Sequence, residues 1–181
     1  MSRGPLLTLK PNVTKEQALE AFSGSGLSAL YSRLRRGPLQ RIAEVYVQYY
    51  LFRVESGAAK PRYFAIDAIN GSLDLFEFQR VPEEREMLPL VGRNRMSATL
   101  PEDRAVEMVR DKVLRVMFQQ GFFKVRDARL EIIREHRDLH LPYWLGFYGQ
   151  DGALRCRVMD AVRRRMEGSK AIAFFEQWLA A

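Results

Sequence analysis

The sequence predicts an α+β protein made of two tandem units, each a helix followed by an antiparallel sheet, related by a pseudo-two-fold axis. Three observations predict it: an internal match between the halves, a helix-capping signal ahead of each sheet, and strand-forming segments separated by turn residues. The match carries most weight, because a long sequence period constrains the whole architecture. Val45-Tyr-Val-Gln-Tyr-Tyr-Leu-Phe aligns with Leu139-His-Leu-Pro-Tyr-Trp-Leu-Gly, an offset of 94 positions. Phe64-Ala-Ile-Asp-Ala-Ile aligns with Arg157-Val-Met-Asp-Ala-Val at an offset of 93, so Asp67-Ala68 falls on Asp160-Ala161. Residues 1–80 form the first unit and 99–181 the second, which ends in a C-terminal helix. Between them, 81–98 carries Pro82, Pro89, Gly92 and clustered charge, and reads as a linker.

Each element has its own reason. Thr14 and Gln17 have capping-box spacing, in which the hydroxyl accepts from a free backbone N–H and the amide side chain reaches back. Ala18, Leu19 and Phe22 then give an apolar helical face, continued by Leu27, Leu30 and Leu34. Thr99 and Glu102 repeat that spacing, with Pro101 in the first turn, where a missing N–H costs no hydrogen bond. Val106, Val109, Val113 and Val116/Met117 form a stripe at helical spacing, and Gly121 supplies a stop. Glu44 to Glu55 is dense in Val, Tyr, Leu and Phe, residues suited to a pleated surface. Both of its alternating sets are apolar, which predicts burial on both faces or packing against the sister unit. A turn at Ser56-Gly57 leads to a strand over Arg62–Ile69. Asn70-Gly71 predicts a type I′ hairpin, since both central positions of that turn need positive φ, and Leu73–Phe78 returns. The second unit reads as strands over Lys124–Glu135, Leu139–Tyr148 and Leu154–Val162, with a turn at Gln150-Asp151-Gly152. Ser169 caps a helix in which Ile172, Phe175 and Leu179 share a face.

The first unit, ending in Tyr63-Phe-Ala-Ile-Asp-Ala-Ile-Asn-Gly-Ser-Leu, resembles a PepSY-type domain. That family consists of small α+β modules of cystatin-like topology closing on a strand, an Asp-Ala pair, a glycine turn and another strand. The second unit keeps Asp160-Ala161 but has Arg163-Arg164-Arg165 where the turn glycine would stand. Family members occur in propeptides and regulators of peptidases, mostly outside the cytoplasm; what the resemblance implies for this chain is topology more than activity.

Composition narrows the classes. Hydrophobic residues at 47% and charged residues at 28% are ordinary globular values for a chain of 181 residues. Twenty-nine basic against 22 acidic residues give a formal charge of +7, which favours anionic partners. The basic residues are interleaved with acids, as on a solvated mixed surface. One cysteine, Cys156, excludes an intrachain disulfide. No stretch approaches the roughly 20 apolar residues that span a bilayer, and the N-terminus lacks a signal-peptide apolar region. These features predict a cytoplasmic protein without a transmembrane segment.

No catalytic, cofactor-binding or metal-ligating set emerges. Glu135, His136, Asp138 and His140 cluster, but on a strand the two histidines do not gain the shared face that helical i,i+4 spacing would give. Cys156, between Leu154 and Val158, reads as a buried thiol. Asp67 and Asp160 each end a strand, where a carboxylate accepts turn N–H groups; each is expected to be hydrogen-bonded. Arg155, Arg157, Arg163, Arg164, Arg165 and Lys170 are the densest basic set and a candidate anion-binding patch. Tyr143, Trp144 and Tyr148 are a candidate aromatic groove. Phosphate loops, dinucleotide fingerprints, nucleophile elbows and Cys-x-x-Cys pairs are missing from the sequence. The function these features favour is a non-enzymatic binding or regulatory module, engaging a protein or peptide through a sheet edge or inter-unit groove. Alternatives are a nucleic-acid or anionic-surface binder using the arginine patch, and a small-molecule binder between the units.

Overall fold

The computed structural model describes residues 6–24, 37–56, 60–119, 130–149 and 155–180. Among them are three helices: α1 (Lys15–Ser23), α2 (Glu102–Gln119) and α3 (Ser169–Ala180). Nine strands form one mixed sheet: β1 (Leu7–Leu9), β2 (Leu39–Ser56), β3 (Arg62–Asp67), β4 (Phe76–Phe78), β5 (Met87–Pro89), β6 (Arg95–Met96), β7 (Leu130–Tyr148), β8 (Arg155–Asp160) and β9 (Arg165–Met166). The α+β class is therefore observed. None of the helices is long and apolar enough to cross a membrane.

The sheet is built on one long antiparallel pair, β2 with β7, in which Val47 lies opposite Leu141 and Tyr49 opposite Leu139. The main path runs β4-β3-β2-β7-β1-β5, with β8 also beside β7, β6 beside β2 and β9 beside β8. Between the pairs Tyr50↔Asp138 and Phe52↔Arg134, β7 carries residues 135–137 against Leu51 alone, a bulge that bends the strand.

Both faces of this pair are covered, as the doubly apolar pattern predicts. Val45, Val47, Tyr49 and Leu51 from β2 lie on one face with Leu139, Leu141, Tyr143, Leu145 and Phe147 from β7. There they meet Ala171, Phe174 and Phe175 of α3. The other face is shared by two helices. Ala105, Val109, Val113 and Met117 of α2 cover Phe52, Val54, Phe64 and Ile66. Ala18 and Phe22 of α1 cover Trp144, Tyr148 and Met159. Full burial of each large apolar side chain contributes about 1.5–3 kcal/mol, so the sheet cannot be stable without its helices. The buried strand side chains under α1 and α2 thus come from the other half of the chain, whereas α3 packs against β8 and Tyr143 of its own half.

Hydrogen bonds hold that exchange in place. Asn12 N–H donates to the Ala161 carbonyl at 2.8 Å, and Trp144 Nε1 to that of Val13 at 3.2 Å. In the other half, Thr99 N–H donates to the Ala68 carbonyl at 2.8 Å, and the Tyr50 hydroxyl to that of Leu100 at 3.1 Å. Gly146 lets α1 approach, since a Cβ there would lie 2.8 Å from the Phe22 ring.

Several expectations change. The Thr14–Gln17 capping box forms, with both reciprocal bonds present. Its counterpart does not: the Thr99 hydroxyl donates to the Ile69 carbonyl at 2.7 Å, and α2 starts at Glu102. Asn70-Gly71 is not a type I′ turn, because of the two only Gly71 has positive φ (69°). The Asp67 carboxylate instead gathers the N–H groups of Ile69, Asn70, Gly71 and Leu73, which leaves β4 only three residues. The expected strands over Lys124–Glu135 and Leu139–Tyr148 are joined in β7 from Leu130 onward. Residues 81–98 do more than connect: β5 pairs with β1, and β6 with β2. In α3 the buried set is Ala171, Phe174 and Phe175, whereas Leu179 is 46% exposed, because two adjacent rings outweigh one leucine near the helix end. Leu27, Leu30, Leu34, Gly121, 124–129 and the 150–152 turn lie outside the described residues.

Candidate functional site

The three residues of the expected aromatic groove lie in the core. Tyr143, Trp144 and Tyr148 are all buried; of the three, Tyr143 alone reaches a small cavity, of about 160 Å³, which Arg163 and Lys170 also line. All three aromatics sit on the central strand of a sheet covered on both faces, and each polar tip is satisfied internally. The Tyr143 hydroxyl meets that of Tyr49 at 2.7 Å, and the Tyr148 hydroxyl donates to the Phe22 carbonyl at 2.7 Å. Burial pushes the Tyr49 and Tyr143 phenols well above their ordinary range.

The basic set does not form one continuous surface. Arg155 and Arg157 lie on β8 opposite Tyr148 and Gly146, hence toward the α1 face. Arg163 lies beyond the strand, its guanidinium 3.8 Å from the Phe76 ring centroid and donating to the Leu75 carbonyl at 2.6 Å. Arg165 pairs with Glu167 at 2.8 Å, and Lys170 with Asp74 at 3.1 Å. Arg164 is exposed, with a left-handed φ of 57°. Carboxylates are therefore threaded through the predicted patch, which weakens its hold on a polyanion.

Asp67 and Asp160 are both buried and both hydrogen-bonded. Asp160 Oδ1 accepts from the N–H groups of Val162 and Arg163 at 2.8 Å. Its Oδ2 is buried with no hydrogen-bond partner, and desolvation raises the carboxyl pKa against the lowering effect of those donors and of Arg163. The histidines separate: His136 is exposed, and His140 is buried with Nδ1 3.1 Å from the Leu7 carbonyl oxygen. No group of three or more His, Cys, Asp or Glu side chains able to hold a metal occurs among the described residues. Burial pushes the Cys156 thiol up to about 11, which suppresses the thiolate a nucleophile needs.

Sequence reasoning missed a cleft of about 440 Å³ where segments distant in the chain converge. Leu9, Phe78, Pro82 and Val162 give it apolar walls; Lys10, Arg80, Arg85, Glu86, Asn12 and Gln79 supply the polar groups. The chain reaches it through β1, whose end is tied down where Lys10 N–H donates to the Glu86 carbonyl at 2.9 Å. Arg80 engages Glu86 at 2.9 Å and Glu83 at 2.9 Å, while Arg85 reaches Glu83 at 2.6 Å. The exposed Lys10 ammonium has no partner among the described residues. Pro82 and Arg85 also wall a second, more open hollow, lined across from them by Glu135, His136 and Arg137 of the β7 bulge. Arg137 fixes the rib between the two by donating to the Pro82 carbonyl at 2.7 Å. Among the described residues the cleft's lining includes no serine, cysteine or histidine; what it offers is shape and charge. A sequence signal existed only in part: 81–98 was charged and proline-bearing, but nothing joined it to Leu9 or Val162.

No family model, curated protein or solved structure matches this chain.

Proposed function

We propose that this protein is a non-enzymatic binding module that engages a peptide segment of a partner protein in the cleft between β1, the end of β4 and the 79–86 segment. The observation that carries the reading is the cleft's make-up: apolar walls, cations at its edge, and a volume within the roughly 300–1,000 Å³ of ligand-holding pockets. Its continuation past Pro82 and Arg85 toward the β7 bulge suits an elongated occupant better than a compact one. Backbone amide NMR during titration with a pool of random ten-residue peptides tests this. Shifts confined to residues 9–12, 78–86 and 162 are expected; unchanged spectra at millimolar peptide rule the reading out.

The same proposal takes the chain as a tandem duplication with a pseudo-two-fold axis, of PepSY-like kind. Pairing register supports it. Val47 and Leu141, 94 positions apart in sequence, lie opposite each other, and the pairs Val45↔Tyr143 and Tyr49↔Leu139 are one pair with its members exchanged. β3 meets β2 as Tyr49↔Asp67, and β8 meets β7 as Tyr143↔Asp160. Likewise β6 places Arg95 beside Tyr46, and β1 places Thr8 beside His140. Gly71 (φ 69°) and Arg164 (φ 57°), 93 positions apart, both take left-handed backbone. An experimental structure in which Val45–Ile69 failed to superpose on Leu139–Val162 would dispose of the duplication while leaving the cleft untouched.

A further inference from the structure

We infer that the segment this cleft receives is an acidic, extended peptide, its carboxylates meeting Lys10 and Arg85 while apolar side chains enter between Leu9, Phe78 and Val162. The inference rests on the binding reading above and adds the partner's chemistry. Glu84 and Glu135 lie in the more open hollow beyond Arg85; bordering the cleft itself are three cations, Lys10, Arg80 and Arg85, and the carboxylates that the two arginines hold are Glu83 and Glu86. Both of those carboxylates are engaged by Arg80, which leaves the Lys10 ammonium as uncompensated positive charge. Arg85 holds Glu83 through Nε at 2.6 Å and is 77% exposed in its side chain, which leaves it open to a second carboxylate. The chain's formal charge of +7 acts in the same direction at longer range. A peptide fits better than a nucleic acid. Among the described residues of the lining the one aromatic ring is Phe78, half-buried and stacked on Phe76 at 5.0 Å, so the cleft lacks the row of exposed rings on which successive bases stack.

The test uses the full chain and fluorescein-labelled ten-residue peptides with Leu and Val at alternate positions and Glu, Gln or Lys between them, read by anisotropy. At 50 mM salt the Glu peptide is expected to bind about fivefold tighter than the Gln peptide, the scale of two exposed ion pairs. The Lys peptide should bind more weakly than either. The preference should fade at 0.5 M salt as the charges are screened. The Lys10→Gln/Arg85→Gln double variant, changed only at exposed side chains, should bind the Glu and Gln peptides alike while keeping its circular dichroism spectrum. Equal binding of Glu and Gln peptides by the native protein overturns the inference but leaves peptide binding standing. Binding of none of the three overturns both. A 20-nucleotide single strand that binds tighter than the Glu peptide, and is lost in the double variant, would assign the cleft to nucleic acid instead.

Discussion

Asp67 and Asp160 end comparable hairpins, yet their surroundings treat the charge differently. Asp67 accepts four backbone N–H groups through both oxygens. Asparagine at 67 would turn an NH2 toward at least one of those donors, so Asp67→Asn should cost roughly 2–4 kcal/mol, measured by urea unfolding. Asp160 has donors on Oδ1 alone, and burial raises its pKa. A carboxyl whose folded pKa lies above its unfolded value of about 3.9 is protonated more readily when folded. Its contribution to stability is therefore full below that unfolded value and is lost as pH rises through the folded pKa. The Tm of the native chain minus that of Asp160→Asn should accordingly fall between pH 3 and pH 7; a difference that is flat or grows with pH contradicts this account. Arg164 pays the steric cost of a left-handed backbone that Gly71 avoids. Arg164→Gly should raise stability by about 0.5–1 kcal/mol, the strain removed being larger than the added freedom of the unfolded chain. The role of both aspartates was legible in the sequence, because a carboxylate at a strand end has few other uses. Their divergence was not, because it depends on which N–H groups the following turn presents.

At the scale of elements, the contact between α1 and β7 is the sharpest fit. Phe22 is 1% exposed and lies against the backbone of Gly146. Gly146→Ala should destabilise by about 1–3 kcal/mol, since neither ring nor strand has room to give. Combining it with Phe22→Leu should recover part of that loss, and additive effects in a double-mutant cycle would show that the two sites do not touch. The long strands were legible from their apolar density, and the same density concealed their faces: with Val54 and Leu51 both buried, alternation leaves no polar side to read. β5 and β6 were not legible at all. Strands of two or three residues have no period, and Met87 and Met96 are buried only because β1 and β2 lie beside them.

For the molecule as a whole, the pairing of β2 with β7 and the crossed seating of α1 and α2 leave neither half with a core of its own. Unfolding is therefore expected as one transition. Phe22→Ala, in the α1 cluster, and Val109→Ala, in the α2 cluster, should each lower a single midpoint followed alike by tryptophan fluorescence and far-ultraviolet circular dichroism. Two separated transitions would mean the halves stand independently. The cleft belongs to this scale as well, which is why no motif announced it: its walls come from residues 9–12, 78–86 and 162, neighbours only once the sheet has closed. The crossed seating also has a consequence in time. The Tyr148 hydroxyl that holds the Phe22 carbonyl lies 126 residues further along the chain. At a synthesis rate of roughly 5–20 residues per second, α1 leaves the ribosome about 6–25 seconds before its resting place is made. During that interval Phe22 is a greasy side chain without a berth, and a chaperone or the nascent chain's own collapse must shelter it.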